Sequence, residues 1–301
     1  MANKRNRVIV RIGGGLGNQL FQYAAARRLA VRNNVPLTLD HISCFPRDVF
    51  NRNFLLDKFN IKCDYINNGS SYASFWGRIR RRIQIKMNRN RELKRKTYLV
   101  EEQVLKHDPR MLDLQVTRPI YLEGCWQHEE YFKDISDQLM EELTLRVPHD
   151  PVNIEFAKRI NSVESICLHV RRLHGVPNVS DAKPLENVPA EHIDVSYYSK
   201  AVDLIASKVK QPHFFVFADY PDWAKENIQL RYRTEYVTHN GADKDYEDFW
   251  LMRQCKHFIV ANSTFSWWAA WLARNPEKTV VSPKESIGFR LQSVPPSWLL
   301  I

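Results

Sequence analysis

Three stretches of the sequence carry residue types able to hold an anion. Arg171 and Arg172 directly follow the apolar run Ser165–Val170. A guanidinium grips two phosphate oxygens at once and stays charged at any working pH; the plain alternative is a surface salt bridge. Asn262–Ser263–Thr264 separates the apolar His257–Val260 from a helical pattern that runs to Ala273. Ser263 is a natural helix N-cap there, and the same place offers hydroxyls and unpaired helix N–H groups to a phosphate. Gly13–Gly17 and Asn18 stand between Val8–Ile12 and a further helical pattern, where glycines let the backbone come close to a ligand. Gly13, Gly15 and the later Asp40 match part of a dinucleotide fingerprint, but Asn18 replaces its third glycine, so a nicotinamide or flavin cofactor is not expected. A tight turn without a ligand is the other reading of this loop.

Acidic residues add two further features. Asp243–Lys244–Asp245 fits a D-x-D metal–nucleotide signature, yet it opens a helical pattern, where acids suit the positive end of the helix dipole. Glu247 and Asp248 follow within the same first turns. Trp267, Trp268 and Trp271 recur at helical spacing and read as packing.

These residues need elements to position them. Val8–Ile12 reads as a buried strand, followed by the glycine loop, a helix from about Asn18 to Val31 and a strand at Pro36–Leu39. Pro119–Glu123 is a further strand and Glu129–Leu143 a helix. After the two prolines of Val147–Pro151, the pattern alternates strand and helix to Val281. Such alternation predicts α/β folding with parallel sheets covered on both faces. The boundary divides the chain into residues 1–150 and 151–301, with a ligand site expected between the two units.

Charge is concentrated. Arg78–Lys96 holds ten Lys/Arg against one acid, Glu92, and so carries nine of the net charge of +10. A basic face spread over the whole surface, as on a duplex-binding domain, is therefore excluded, and no nucleic-acid partner is expected. Phe75, Ile79, Ile83 and Met87 place one apolar stripe on a helix over about 75–96. The stripe either packs into the core beneath a solvated charged face, or lies on an anionic membrane surface. No apolar run is long enough to span a bilayer, and Val8–Ile12 is too short for a secretory segment. The five cysteines are odd in number and widely spaced. A cytoplasmic protein is expected, with contact at the inner face of the membrane as the further reading of the basic segment.

Four stretches taken together resemble the alpha-1,2-fucosyltransferases. VRIGGGLGNQLFQYAAAR resembles the family's N-terminal motif and YLEGCWQHEEYF (Tyr121–Phe132) its following strand and turn. CLHVRRLHG (Cys167–Gly175) is similar to H-x-R-R-G-D, and VANSTFSWWAAWL (Val260–Leu272) to N-S-T-F-S-W-W. The resemblance implies a GT-B-like fold, two Rossmann-like domains facing across a cleft, with the nucleotide mainly on the C-terminal one. It implies an inverting transfer of L-fucose from GDP-fucose to the 2-hydroxyl of a galactoside. In such a transfer the departing diphosphate gathers most of the new charge, so preorganised donors there matter most. By resemblance Arg171 grips the beta-phosphate, His169 and Arg172 organise its loop, and Asn262, Ser263, Thr264 and Phe265 follow the diphosphate and nucleoside. Gly15, Gly17 and Asn18 join the binding set, as does Asp219, the matching acid of FADYPDW, in which Tyr220 replaces a second acid. Asp248, or alternatively Glu247, accepts from the guanine. With arginines and helix N-termini available for the phosphates, neither a metal nor another cofactor is expected.

The sequence departs from the family at Leu173 and His174, where the motif has Gly-Asp. A different donor sugar or linkage, or a silent GDP- or glycan-binding protein, are the alternatives this raises. His174 is a candidate base, since an imidazole titrates near neutrality; Asp40, His41 and Glu123 are the others.

Overall fold

The computed structural model describes residues 6–48, 51–67, 72–103, 106–147, 149–172, 193–241, 243–284 and 294–301. The chain divides into two compact units, Met1–Arg146 and Val147–Ile301. Each is a parallel sheet with helices.

In the N-terminal unit the strands are β1 (Val8–Arg11), β2 (Leu37–Asp40), β3 (Asp64–Tyr65), β4 (Tyr98–Val100) and β5 (Ile120–Glu123), and the order is β3-β2-β1-β5-β4. Helix α1 (Leu16–Arg32) leaves β1 through the glycine loop and packs Leu20, Phe21, Ala24 and Leu29 into the core. Gly14 has φ +78°, a left-handed conformation that costs a side-chain-bearing residue energy. At Gly13 space is the constraint, because a Cβ there would lie 2.2 Å from Cys44 Sγ. Gly13→Ala is therefore expected to cost about 1–3 kcal/mol and lower Tm by several degrees in a thermal melt, with Cys44→Ala restoring only part of it, because the Cys44 Cβ 2.8 Å away remains.

Two elements differ from the sequence expectation. The helix anticipated over Glu129–Leu143 is two 3-10 turns, Glu129–Tyr131 and Lys133–Ile135, before the short α3 (Ser136–Glu142). Phe132 breaks it with φ −151°, since its ring is fully buried against Phe21, centroids 5.8 Å apart. Helix propensity yields to that packing. The basic helix α2 runs Phe75–Asn88, not to residue 96. Buried Asn88 ends it by accepting from the backbone N–H groups of Thr97 (2.7 Å) and Tyr98 (3.3 Å), which ties the helix end to β4. The apolar stripe of α2 is not core: Phe75, Ile83 and Met87 are exposed, as is Trp76.

The C-terminal unit contains α4 (Pro151–Asn161), β6 (Glu164–Val170), α5 (Val195–Ala206), β7 (Pro212–Ala218), α6 (Pro221–Asn227), β8 (Arg233–Val237), α7 (Asp245–Gln254), β9 (His257–Ile259), α8 (Thr264–Leu272), β10 (Val280–Ser282) and β11 (Leu299–Leu300). Its strand order is β11-β10-β9-β6-β7-β8, parallel throughout. β6 sits mid-sheet and is buried on both faces, which is why it reads as a nearly unbroken apolar run. Among the described residues no helix is long and apolar enough to cross a membrane.

Candidate active site

In open parallel sheets ligands bind beyond the carboxyl ends of the strands, where the strand order reverses. In the C-terminal unit that reversal lies between β6 and β9. Arg171 and Arg172 leave the end of β6, and Asn262–Thr264 leave β9 for α8. The His169 and Phe265 rings, 5.9 Å apart, mark where the two segments meet.

Asp219, at the end of β7, organises the arginine loop. It accepts from the backbone N–H of Arg172 (3.0 Å) and pairs with the Arg171 guanidinium (3.3 Å). The Arg172 guanidinium lies 4.0 Å from the centre of the Trp223 ring. Arg171 thus reaches the switch point from a backbone pinned on both sides, since Tyr198 Oη also accepts from its N–H at 3.4 Å. Sequence reasoning gave no role to Tyr198, which carries no motif, or to Trp223, the last residue of FADYPDW. Leu173 and His174 lie outside the described residues.

Ser263 caps α8, its hydroxyl accepting from Phe265 N–H at 3.3 Å. His169 is buried, its Nδ1 has no hydrogen-bond partner among the described residues, and burial together with the Arg171 charge lowers its pKa to about 3. It is therefore held neutral at physiological pH, beside Arg171 and Phe265.

The acids of α7 separate by environment. Glu247 is consumed by structure, accepting from Asp150 N–H (3.1 Å) and facing His149 Nδ1 (3.1 Å). Asp248 accepts from Asn240 Nδ2 at 2.7 Å, and Asn240 in turn bonds Asn153, so the carboxyl ends a half-buried polar chain. Burial raises its pKa to about 7 against that hydrogen bond, and Asp245 and Glu247 add to the shift. An unfolded carboxyl titrates near pH 4, so from about pH 4 to 7 the folded chain keeps a proton that the unfolded chain has lost. Stability falls as pH rises through that window, and the whole penalty is present above it. Asp248→Asn is expected to raise Tm at pH 8 and leave it nearly unchanged at pH 4; melts at the two pH values check this. Among the described residues no three His, Cys, Asp or Glu side chains gather to hold a metal ion, around Asp243 and Asp245 included.

The glycine loop belongs to the N-terminal unit. Gly15 precedes α1 without a side-chain cap, and Gly17 is buried in its first turn. Gln22 accepts from Gly13 N–H (2.9 Å), Gln19 donates to Gly14 O (2.9 Å) and Asn53 O (2.8 Å), and Asn18 Oδ1 accepts from Gln127 (2.9 Å). Here strand order reverses between β1 and β5. Beyond the ends of β1 and β2 is a cavity of about 400 Å³ whose lining includes Arg11, Arg52, Arg78, Arg81, Arg82 and Tyr72. Glu123, at the end of β5, binds Arg11 Nη1 (2.9 Å) and Arg81 Nε (2.7 Å) and accepts from Tyr98 Oη. Asp40 is fully buried and accepts from Tyr121 Oη (2.5 Å), Ser43 N–H (2.9 Å) and Ile42 N–H (3.2 Å). Both candidate bases are thus engaged in structure. His41 packs between Phe54 and Tyr65, with ring centres 5.3 and 5.2 Å away.

Residues 7–287 match the family model described as Glycosyl transferase family 11. The chain belongs to that family. The alpha-1,2-colitosyltransferase of Escherichia coli is 29% identical over 92% of this chain and 91% of its own. The O-antigen biosynthesis glycosyltransferase WbnK of Escherichia coli is 30% identical over 91% and 93%. Galactoside alpha-(1,2)-fucosyltransferase 2 of Rattus norvegicus is 31% identical over 48% of this chain and 41% of that protein. The fold is shared with solved fucosyltransferases. The structure of an Arabidopsis thaliana FUT1 mutant in complex with GDP gives a TM-score of 0.52 at 12% identity, covering 97% of this chain and 73% of that one. Fucosyltransferase NodZ from Bradyrhizobium gives 0.51 at 15%, covering 90% and 94%. This family 11 glycosyltransferase has the two Rossmann-like domains of the GT-B architecture.

Proposed function

We propose that the protein transfers L-fucose from GDP-fucose, with inversion, to the 2-hydroxyl of a galactoside, and that it needs no metal. The observation that carries this reading is Arg171, pinned by Asp219 and Tyr198 at the β6/β9 switch point beside the capped start of α8. A leaving diphosphate there meets a fixed guanidinium and helix N–H groups as its charge develops. Asn262, Ser263, Thr264 and Phe265 line the donor, and Asp248, with Glu247 already engaged, is the acid for the guanine. The arginine-lined cavity of the N-terminal unit receives the acceptor glycan. The five free cysteines suit a reducing cytoplasm.

A colitosyl donor is the second reading, supported by the colitosyltransferase relative and by Leu173 and His174 where the fucosyltransferase motif has Gly-Asp. Turnover of GDP-fucose and other GDP-sugars with a simple galactoside, with and without EDTA, separates the readings. Fucose transfer insensitive to EDTA supports the first. GDP binding without fucose transfer, alongside turnover of another GDP-sugar, supports the second, and GDP binding with no turnover of any donor makes this a binding protein.

A further inference from the structure

Helix α2 exposes what soluble helices bury. Trp76 is 75% accessible, Phe75 61%, Met87 52% and Ile83 51%. At 100° per residue these four and Ile79 fall within an arc of about 120°. The opposite side holds the helix to its unit through buried Gly77 and Asn88 and through Arg81, whose guanidinium binds Glu123. The apolar arc therefore points away from the N-terminal unit. Basic residues flank it: Arg80 on one side and Arg82 on the other, with Lys86 inside the arc near its Phe75 edge and Arg89 and Arg91 just beyond the helix end.

We propose that α2 seats the protein on an anionic lipid surface, with Phe75, Trp76, Ile83 and Met87 entering the headgroup–acyl boundary and the flanking Arg and Lys side chains meeting lipid phosphates. An amphipathic helix with an aromatic apolar face and a basic border binds such an interface. The long stems of Arg and Lys cover apolar surface while their charges stay with the headgroups. A second copy of the chain is the poorer occupant, because pairing two α2 faces sets one strongly cationic segment against another. Nucleic acid would leave the aliphatic arc unused. Because Arg78, Arg81 and Arg82 of the same helix line the N-terminal cavity, seating α2 holds that cavity one helix diameter (~10 Å) from the lipid surface, within reach of a lipid-borne glycan.

The test is co-sedimentation of the full chain with vesicles of phosphatidylcholine alone and with about one-third phosphatidylglycerol. Binding to the anionic vesicles is expected, falling with salt, with little binding to phosphatidylcholine alone. A Trp76→Ser/Ile83→Ser variant should melt like the parent and lose tenfold or more in partitioning. Replacing Arg80 and Lys86 by glutamine should weaken it about five-fold per charge. Equal binding to both vesicles, no binding to either, or unchanged partitioning of the apolar double variant overturns the proposal. So does a parent that is dimeric in solution and becomes monomeric in that variant, which would assign the face to a second copy. The readout does not depend on which sugar is transferred.

Discussion

Arg171→Ala is expected to lower kcat by two to three orders of magnitude while the protein stays folded. That is the usual cost of removing one preorganised donor from a developing anion. The charge of Arg171 matters less than its placement. Its guanidinium is tethered 3.3 Å from Asp219 Oδ2, and the same carboxylate holds the next backbone N–H. Arg171→Lys keeps the charge but not the two-pronged geometry, so it should recover only a small part of the rate. Asp219→Asn acts on Arg171 through position alone. It should reduce kcat about tenfold with little change in the pH profile, whereas loss of a proton-transfer group would move that profile. Arg171 is only partly buried, and Asp219 still anchors Arg172 without it, so Tm should move by a few degrees at most. Single-turnover and steady-state kinetics with GDP-fucose check the series; a normal kcat in Arg171→Ala would remove this residue from the reaction.

Glu123→Ala should have the largest effect on stability. Glu123 is mostly buried and serves Arg11, Arg81 and Tyr98 at once, tying β5 to β1, α2 and β4. Removing one member of such a cluster leaves the other charges unpaired, which costs about 3–5 kcal/mol for fully buried partners. Arg11 and Arg81 are about a quarter exposed, so water offsets part of this and about 3 kcal/mol is expected. That corresponds to a Tm roughly 10 °C lower, read by calorimetry. Glu123→Gln keeps hydrogen-bond acceptance without the charge and should fall between the two. Burial pushes the Glu123 pKa up, but the bonds from Arg81 and Tyr98 and the charge of Arg11 outweigh it and hold it below the usual carboxylate value. A depressed carboxyl contributes stability above its unfolded pKa and loses it as pH falls through the folded one. The gap between parent and Glu123→Ala should therefore be full at pH 7 and shrink below about pH 4.

Much of this was legible from local chemistry. The apolar run before Arg171 is β6 because only a strand covered on both faces tolerates so unbroken a run. Ser263 caps α8 as its type and position require. Gly13 and Gly14 lie in a turn where one has no room for a Cβ and the other has positive φ. Strand–helix alternation sufficed for two parallel sheets, although the short edge strands β3, β4 and β11 carry too few residues to form a pattern.

What sequence could not reach depends on which distant surfaces meet. Glu247 and Asp248 are neighbours of nearly the same chemistry, yet one is taken by His149 and Asp150 and the other by Asn240. Glu123 and Asp40 look like free bases until Arg11, Arg81 and the tyrosines are placed around them. The stripe on α2 makes the same point most plainly. A period of about 3.6 fixes which residues share a face of a helix, and Phe75, Ile79, Ile83 and Met87 do share one. Periodicity carries no information about what lies opposite that face. Only the packing of Gly77, Arg81 and Asn88 against the N-terminal unit decided that the apolar side is turned outward.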